Sequence, residues 1–326
     1  MFASLRQTAF IVVFAIGGST VLASPDVWAN EWPNTDFTRS SVENWTEILS
    51  GGPPRDGIPA INGPTLIPVT EEDRLSPREA VMVYEPAGSA ARAYPVRYLM
   101  WHEIVNDDVG GIPVAVTFCP LCNSGVVFDR RTAAGTLTFG VSGKLRNSDM
   151  VMFDRETESW WQQATGEAIV GDLNGTELTM LPGWLEGWAS FATRNPDGLV
   201  MDQPQGFSRN YGANAYTDYD SSSRPFLFNG EMPPHDIPPL VRVVRVGERA
   251  WPLTRLADEG EISEAGVTLS WTAGQASALD ASDLGAGKEV GNVRVRDAAG
   301  NDIVHDVMFA FAFHAFWPNG AWMLAQ

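Results

Sequence analysis

The amino-acid sequence predicts an α+β fold that is mainly antiparallel β-sheet with a few helices, arranged as two related, duplicated halves. Short apolar runs rich in strand-forming residues alternate with clusters of Gly, Pro, Asn and Asp, which is the pattern of hairpins. Few segments space their apolar residues as a helix does. One combination, a hairpin followed by a helix, occurs twice along the chain.

The first half of the predicted fold begins with the hairpin 81–94 and a helix that Pro95 opens and that continues to Asn106. An apolar strand, 112–118, then leads to two cysteines. A second helix is expected over 184–194. Further strands are expected at 126–128, 136–139, 150–153, 160–161, 168–170 and 178–181.

The second half repeats this order in a degenerate form. Residues 240–256 resemble 81–99, with Pro252 in the place of Pro95. Continuing the alignment puts Glu259 where the first half has His102. Residues 266–271 match the strand before the cysteines, but no cysteine follows them.

The chain therefore divides into five predicted segments. They are a signal peptide at 1–23, an N-terminal arm at 24–55, a first α+β unit at 56–195, a long loop or linker at 196–238, and a degenerate second repeat, packed on the first unit, at 239–326. The signal is indicated by Arg6, an apolar stretch from Ala9 to Val21, and small residues up to Ala23. We expect a periplasmic or secreted protein with no stable membrane span after cleavage.

Charge limits the possible partners. The chain has 40 acidic and 22 basic residues and a net charge of -18, without a compensating basic patch. Such a surface repels nucleic acid, which we exclude as a partner. The sequence does not identify a small-molecule substrate or a metal donor.

The chemistry is concentrated at Cys119-Pro-Leu-Cys122, which contains both cysteines of the chain. Thiols at this spacing can hold one metal ion or form a small disulfide ring. Turn-forming residues and a strand follow, a context that favours a metal knuckle over the start of a redox helix. His102 is the predicted third ligand, and this set suits copper, which we favour, or zinc. The resulting site would serve metal handling or a redox reaction.

Five further residues are predicted to lie around this site. Glu103 and Asn106 can orient the imidazole, Met152 can add a thioether that favours copper, and Trp160 and Trp161 can line a pocket. Core packing is the competing interpretation for the methionine and the tryptophans. The charged patch of 144–149, Arg155 and Glu156 could bind an anionic substrate, but a solvated connection between strands is the more usual interpretation of such a patch.

Two other functions remain open. The protein can be a metal-free binding or scaffold protein in which the cysteines form a structural disulfide, or it can be a thiol-disulfide oxidoreductase. With only two cysteines, a four-cysteine zinc site is excluded. No residue is assigned as catalytic, and no dinucleotide- or phosphate-binding loop is present.

Several motifs together resemble the bacterial family called domain of unknown function 3179 (DUF3179). They are Asp56-Gly-Ile-Pro-Ala-Ile61, Arg92-Ala-Tyr-Pro95, Trp101-His-Glu-Ile-Val-Asn-Asp107, Phe118-Cys-Pro-Leu-Cys-Asn-Ser124 and Trp160-Trp-Gln-Gln-Ala-Thr-Gly-Glu-Ala-Ile169. The resemblance spans about residues 52–326. It implies little about chemistry, so the function has to be inferred from the residues themselves.

Overall fold

The computed structural model describes residues 24–325, so the predicted signal peptide lies outside the described residues. As predicted, this part of the chain is mostly antiparallel β-sheet with a few helices. Its five α-helices are α1 (Pro25–Trp28), α2 (Val96–His102), α3 (Trp188–Arg194), α4 (Leu253–Glu259) and α5 (Ala310–Phe316). None of these described helices has the length and apolar character needed to span a bilayer.

The strands are short and follow one another closely along the chain. They are β1 (Ile48–Ser50), β2 (Ile61–Asn62), β3 (Leu66–Pro68), β4 (Ala80–Tyr84), β5 (Arg92–Pro95), β6 (Ile104–Val109), β7 (Ile112–Cys119), β8 (Ser124–Asp129), β9 (Arg131–Thr132), β10 (Gly135–Thr136), β11 (Phe139–Arg146), β12 (Asp149–Asp154), β13 (Trp160–Gln162), β14 (Ala168–Val170), β15 (Met180–Leu181), β16 (Gly183–Gly187), β17 (Leu199–Met201), β18 (Arg242–Val246), β19 (Arg249–Pro252), β20 (Glu261–Glu264), β21 (Val267–Thr272), β22 (Asn292–Asp297), β23 (Asp306–Phe309) and β24 (Ala321–Trp322).

These strands form several small sheets in a β-propeller-like arrangement. Apart from the β9–β10 pair, their strand orders are β1-β11-β12-β13-β14, β15-β8-β7-β6-β2, β16-β4-β5-β17-β3, β23-β18-β19-β24 and β20-β21-β22. Nine of the seventeen neighbouring pairs in these five sheets are consecutive in the chain, and the other eight join strands that are not consecutive, such as β4 and β16. Local hairpins, which the breaker clusters predicted, therefore build about half of the strand pairing.

Two of the sheets have the same strand directions. In one, β4 pairs antiparallel with β5 and β16, and β5 pairs parallel with β17. In the other, β18 pairs antiparallel with β19 and β23, and β19 pairs parallel with β24. Each hairpin leads into a seven-residue helix, and a second such helix follows β16 and β23. This correspondence is topological, and a duplication of the chain is not established by it.

The predicted helices are shorter than the sequence suggested. The first was expected to reach Asn106 but ends at His102, because Glu103 adopts a positive φ of 58° that no α-helix continues through. Ile104 and Val105 then begin β6. The helix expected over 184–194 starts only at Trp188, since residues 183–187 pair with β4 as β16.

Two further segments pack on the central sheets, and each contributes one strand to a sheet. In the arm 24–55, Trp28 and Trp32 pack on Trp160, with ring centroids 5.3 Å apart in both pairs, and β1 pairs with β11. The segment 196–238 contains the strand β17 and one turn of 3₁₀-helix at Tyr219–Ser221. It lies against the main core through Tyr211, Tyr216, Tyr219 and Phe228. The loop thus covers part of the first unit.

Candidate metal and thiol site

The Cys119-Pro-Leu-Cys122 motif forms the turn between two antiparallel strands. Cys119 ends β7 and pairs with Ser124, the first residue of β8, so residues 120–123 make the connection. Asn123 has a φ of 53°, a conformation that Asn tolerates better than most residues. The structure confirms the predicted turn-then-strand context. Both thiols are free and almost fully inaccessible to solvent.

The second half of the chain holds this turn in place. The Ser124 hydroxyl donates to the Asp306 carboxylate at 2.6 Å, and the Gly125 N–H donates to its other oxygen at 3.1 Å. The Phe309 N–H donates to the Cys122 carbonyl at 2.9 Å. Backbone and side-chain contacts from β23 therefore fix the position of both cysteines.

Asp149 approaches the cysteines from the other side. It begins β12 directly after a two-residue turn, Asn147-Ser148, in which both residues have positive φ. Its side chain is fully buried. One carboxylate oxygen, Oδ2, accepts hydrogen bonds from the Gln162 amide at 2.6 Å and the Ala164 N–H at 2.9 Å. The other oxygen, Oδ1, has no hydrogen-bond partner.

Cys119, Cys122 and Asp149 form one compact group. A ligand atom from each lies within 4.8 Å of those of the other two. The Cys122 thiol also lies 3.4 Å from the Ser148 carbonyl oxygen, and the Cys119 thiol lies 3.9 Å from the same oxygen. Two sulfurs and one oxygen therefore converge in a water-poor site. A metal ion, or a proton shared among these groups, can occupy it.

Burial controls the electrostatics of the group. It raises the pKa of Asp149 to about 6, although the Gln162 and Ala164 hydrogen bonds act in the opposite direction. It also raises the pKa of Cys119, and that of Cys122 goes well above its ordinary value. A bound cation would reverse these shifts, because it stabilises thiolate and carboxylate directly.

Glu103 lies close enough to this group for their charges to interact. Burial, followed by the charge of Asp149, raises the pKa of Glu103 to about 8. The residue is 8% exposed, and its carboxyl group makes no side-chain hydrogen bond within residues 24–325. It faces a cavity of about 210 Å³ together with Leu121 and Tyr216. Glu103 was predicted to orient the His102 imidazole; in the structure it interacts with Asp149, and the ring nitrogens are bonded to Pro59 and Tyr211.

Residues of the segment 196–238 cover the thiol turn. The Tyr219 hydroxyl donates to the Leu121 carbonyl at 3.0 Å. The Phe226 carbonyl accepts a hydrogen bond from the Ser148 hydroxyl, so the same segment also contacts the residue before Asp149. The segment therefore contacts both the thiol turn and the turn before Asp149.

The structure does not bring His102 to the thiols. Its Nδ1 lies 2.7 Å from the Pro59 carbonyl, and its Nε2 lies 2.7 Å from the Tyr211 hydroxyl. Since a carbonyl only accepts, Nδ1 carries the proton, and Nε2 accepts from Tyr211. Phe207 packs against the ring at a centroid distance of 4.7 Å. Both nitrogens are occupied, so Asp149 and not His102 is the third member of the group.

Asn106 and Met152 have structural positions. Asn106 donates to the side chain of Asn62 and to the Phe139 carbonyl, and its own oxygen accepts from the Phe139 N–H at 3.0 Å. It thereby joins β6 to β2 and β11 and does not orient His102. Met152 is fully buried in the main core, as the competing core interpretation had it.

The two tryptophans also serve packing. Trp160 lies in the small core beneath the N-terminal arm, whereas Trp161 lies in the main core. The Trp161 indole donates to Asp154 at 2.8 Å. Neither lines the 210 Å³ cavity. Both indoles are fully buried, in two different cores, so core packing, the competing interpretation, describes their positions.

Sequence reasoning missed Asp149, which was assigned to a solvated turn. A signal existed: an Asn-Ser pair between two strand-like runs is a tight hairpin, and such a hairpin places the next residue inside the sheet. Only the contact of the turn before β12 with the turn between β7 and β8 makes this carboxylate a neighbour of the cysteines. That contact has no local signature.

Comparison with known proteins adds a family but no activity. No curated protein and no solved structure matches the chain. A family model described as "Protein of unknown function (DUF3179)" matches residues 55–320, which include the thiol turn, Asp149 and Glu103. The match covers most of the chain and confirms the resemblance seen in the sequence motifs. The chain belongs to the DUF3179 family.

Proposed function

We propose that the protein binds one metal ion through Cys119, Cys122 and Asp149. The observation that carries this proposal is the buried Asp149 carboxylate, which offers an oxygen within 4.8 Å of ligand positions on both cysteines. Its Oδ1 has no hydrogen-bond partner within ordinary distance, and the neighbouring thiols act on the carboxylate instead, which suits a ligand. Metal–sulfur distances of about 2.3 Å and metal–oxygen distances of about 2.0–2.2 Å need only small inward movements.

The ligand set bears on which metal is bound. Two thiolates suit both copper and zinc, whereas a carboxylate in place of the predicted imidazole moves the balance towards zinc. Three protein ligands leave a coordination position open. The role would then be metal handling or chemistry at that position.

Metal titration of the reduced protein tests this proposal. We expect one Zn²⁺ or Cu⁺ per chain, no stoichiometric metal in Cys122→Ser, and weaker binding in Asp149→Asn. Asp154→Asn is the matched control, because this buried carboxylate on the same strand is fully hydrogen-bonded by Thr157 and Trp161. His102→Gln is the second control and should retain the metal. A reduced protein that binds neither ion would refute the proposal.

A thiol-disulfide oxidoreductase is the second candidate. It is favoured by the two free, adjacent thiols with a carboxylate beside them. In this mechanism a partner disulfide takes two electrons from the thiols, the protons pass to Asp149 and the partner, and a Cys119–Cys122 disulfide forms. Redox titration separates the two candidates, because an oxidoreductase with Asp149→Asn would still form the Cys119–Cys122 disulfide. The substitution would change the pH dependence of the rate at which the disulfide forms.

We also propose export and duplication. The residue pattern of 1–23 supports cleavage near Ala23, and N-terminal sequencing of the mature protein checks it. The shared strand order of the two sheets supports descent of both halves from one unit. Superposition of 81–106 on 241–260 with Pro95 on Pro252 is its test.

A further inference from the structure

A cavity of about 210 Å³ lies directly beside the thiol site. Its walls include Leu121, which lies between the two cysteines, and Met150, which follows Asp149. Phe226 from the covering segment closes another side, and most of the remaining wall is apolar. At about 30 Å³ per water molecule the volume equals about seven waters, which is room for a ring-sized organic molecule.

Two polar side chains in this cavity have no partner. Both line the cavity, and in the described part of the chain neither the carboxyl group of Glu103 nor the hydroxyl of Tyr216 makes a side-chain hydrogen bond. The third polar side chain, Lys144, is already paired with Glu31 at 3.0 Å. A mainly apolar cavity with a few convergent polar groups is the usual form of a small-molecule site. The unpaired groups therefore indicate where a ligand's polar end would lie.

The backbone at Glu103 gives a second, independent indication. Its φ and ψ are 58° and −32°, in a region that residues with a side chain rarely adopt. At the same place after α4 the chain has Gly260, with a φ of 75° and a ψ of −39°. Glycine adopts this conformation without strain. A glutamate in this position loses stability, which points to a use for its side chain.

We infer that this cavity binds a small, uncharged alcohol or phenol, with its hydroxyl group hydrogen-bonded to Glu103 and Tyr216. A hydroxyl both donates and accepts, so it can satisfy a carboxyl group and a phenol together. The apolar walls favour an apolar body and disfavour a charged ligand. The idea that such a ligand is a substrate rests on the proposed function of the neighbouring metal site. The binding of the ligand to the cavity does not depend on that function.

The experiment compares phenol with toluene, which replaces the hydroxyl by a methyl group. Calorimetric titration of the reduced, metal-free full chain should show phenol binding about tenfold more tightly. Tyr216→Phe should lower the affinity for phenol about fivefold and leave that for toluene unchanged. Tyr98→Phe, a buried tyrosine outside the cavity lining, is the control and should change neither.

Glu103→Gly separates a ligand-binding role from a structural one. It should abolish the preference for phenol and raise the melting temperature by about 2 °C, because it removes the strained side chain. Equal binding of phenol and toluene, or no binding of phenol, overturns the inference. A chain that prefers phenol but binds no metal would refute the metal site and support the cavity. A chain that binds the metal but does not prefer phenol over toluene would support the metal site and refute the cavity.

Discussion

Helices α2 and α4 occupy equivalent places after their hairpins but end in different chemistry. Each follows a proline and has seven residues. The first ends in His102, which is fully buried, and Glu103; the second ends in Glu259, whose side chain is 45% exposed, and Gly260. The backbone is thus nearly the same whether or not a site is present. The difference shows that the hairpin and the residue after the helix determine the path of the backbone. The side chains at the helix end determine whether a candidate site is present.

The connection that follows the next two strands differs more between the two units. In the first unit the cysteines form a tight turn between β7 and β8, whereas residues 273–291 connect β21 to β22 in the second. The second unit contributes Asp306 and Phe309 to the thiol turn of the first. One unit therefore carries the two thiols and the other supports the turn on which they lie.

The largest expected effect tests this support. Asp306→Ala removes a buried carboxylate that accepts from Ser124 and Gly125, and both donors would be left buried without a partner. We expect a loss of about 3 kcal/mol in the free energy of unfolding, measured with denaturant. Asp258→Ala, on the exposed face of α4, should change it by less than about 0.5 kcal/mol. Equal effects of the two changes would show that β23 does not hold the turn.

The pH dependence of stability should distinguish the two helix ends. Burial raises the pKa of Glu103 from 4.5 to about 8, so the folded chain keeps a proton that the unfolded chain releases. The contribution of this protonated group to the free energy of unfolding is therefore fully present below about pH 4.5, and it is lost as the pH rises to about 8. Glu103→Gln should gain about 2 kcal/mol over the wild type across this range, allowing for relaxation of the buried site. Glu259→Gln is the control, and parallel pH profiles for wild type and Glu103→Gln would contradict the expectation.

Substitutions at the two helix ends should change the free energy of unfolding by smaller amounts and in opposite directions. Gly260→Ala should cost about 1.5 kcal/mol, because a side chain is strained at a φ of 75°. Glu103→Gly should gain about 1 kcal/mol by the same reasoning. Denaturant unfolding measures both. If both changes destabilise the protein, the two caps are not equivalent.

The smallest effect concerns the histidine. Tyr211→Phe removes the hydroxyl that donates to His102 Nε2 and should cost about 1 kcal/mol. It should also increase hydrogen exchange within the segment 196–238, which Tyr211 helps to fasten. Tyr84→Phe, at a hydroxyl outside this segment, is the comparison. Loss of bound metal in Tyr211→Phe would return His102 to the ligand set.

Local signals in the sequence predicted much of this fold. The hairpin 81–94, the strand that leads to Cys119 and the turn after it depend on residues that are neighbours in the chain. The helix end at Glu103 was missed because nothing local announces a glutamate with a positive φ. His102 was assigned to the metal because the apparent second repeat lacks it together with the cysteines. The partners that occupy its nitrogens, Pro59 and Tyr211, come from distant loops and leave no local signal. Asp149 was missed for the same reason, since only packing between sheets brings it to the thiols.

The support of the thiol turn by β23 has a consequence for the order in which the protein forms. Cys119 and Cys122 are made early in synthesis, but the Ser124–Asp306 hydrogen bond spans 182 positions of the chain. Contacts so far apart in sequence form slowly, after local hairpins. Until the C-terminal strand is synthesised and docked, the cysteines lie on a turn without its support. During that interval the two thiols can react with oxidants or bind metal ions. The order of folding can therefore decide whether the cysteines are buried as thiols, as a disulfide or with a bound metal.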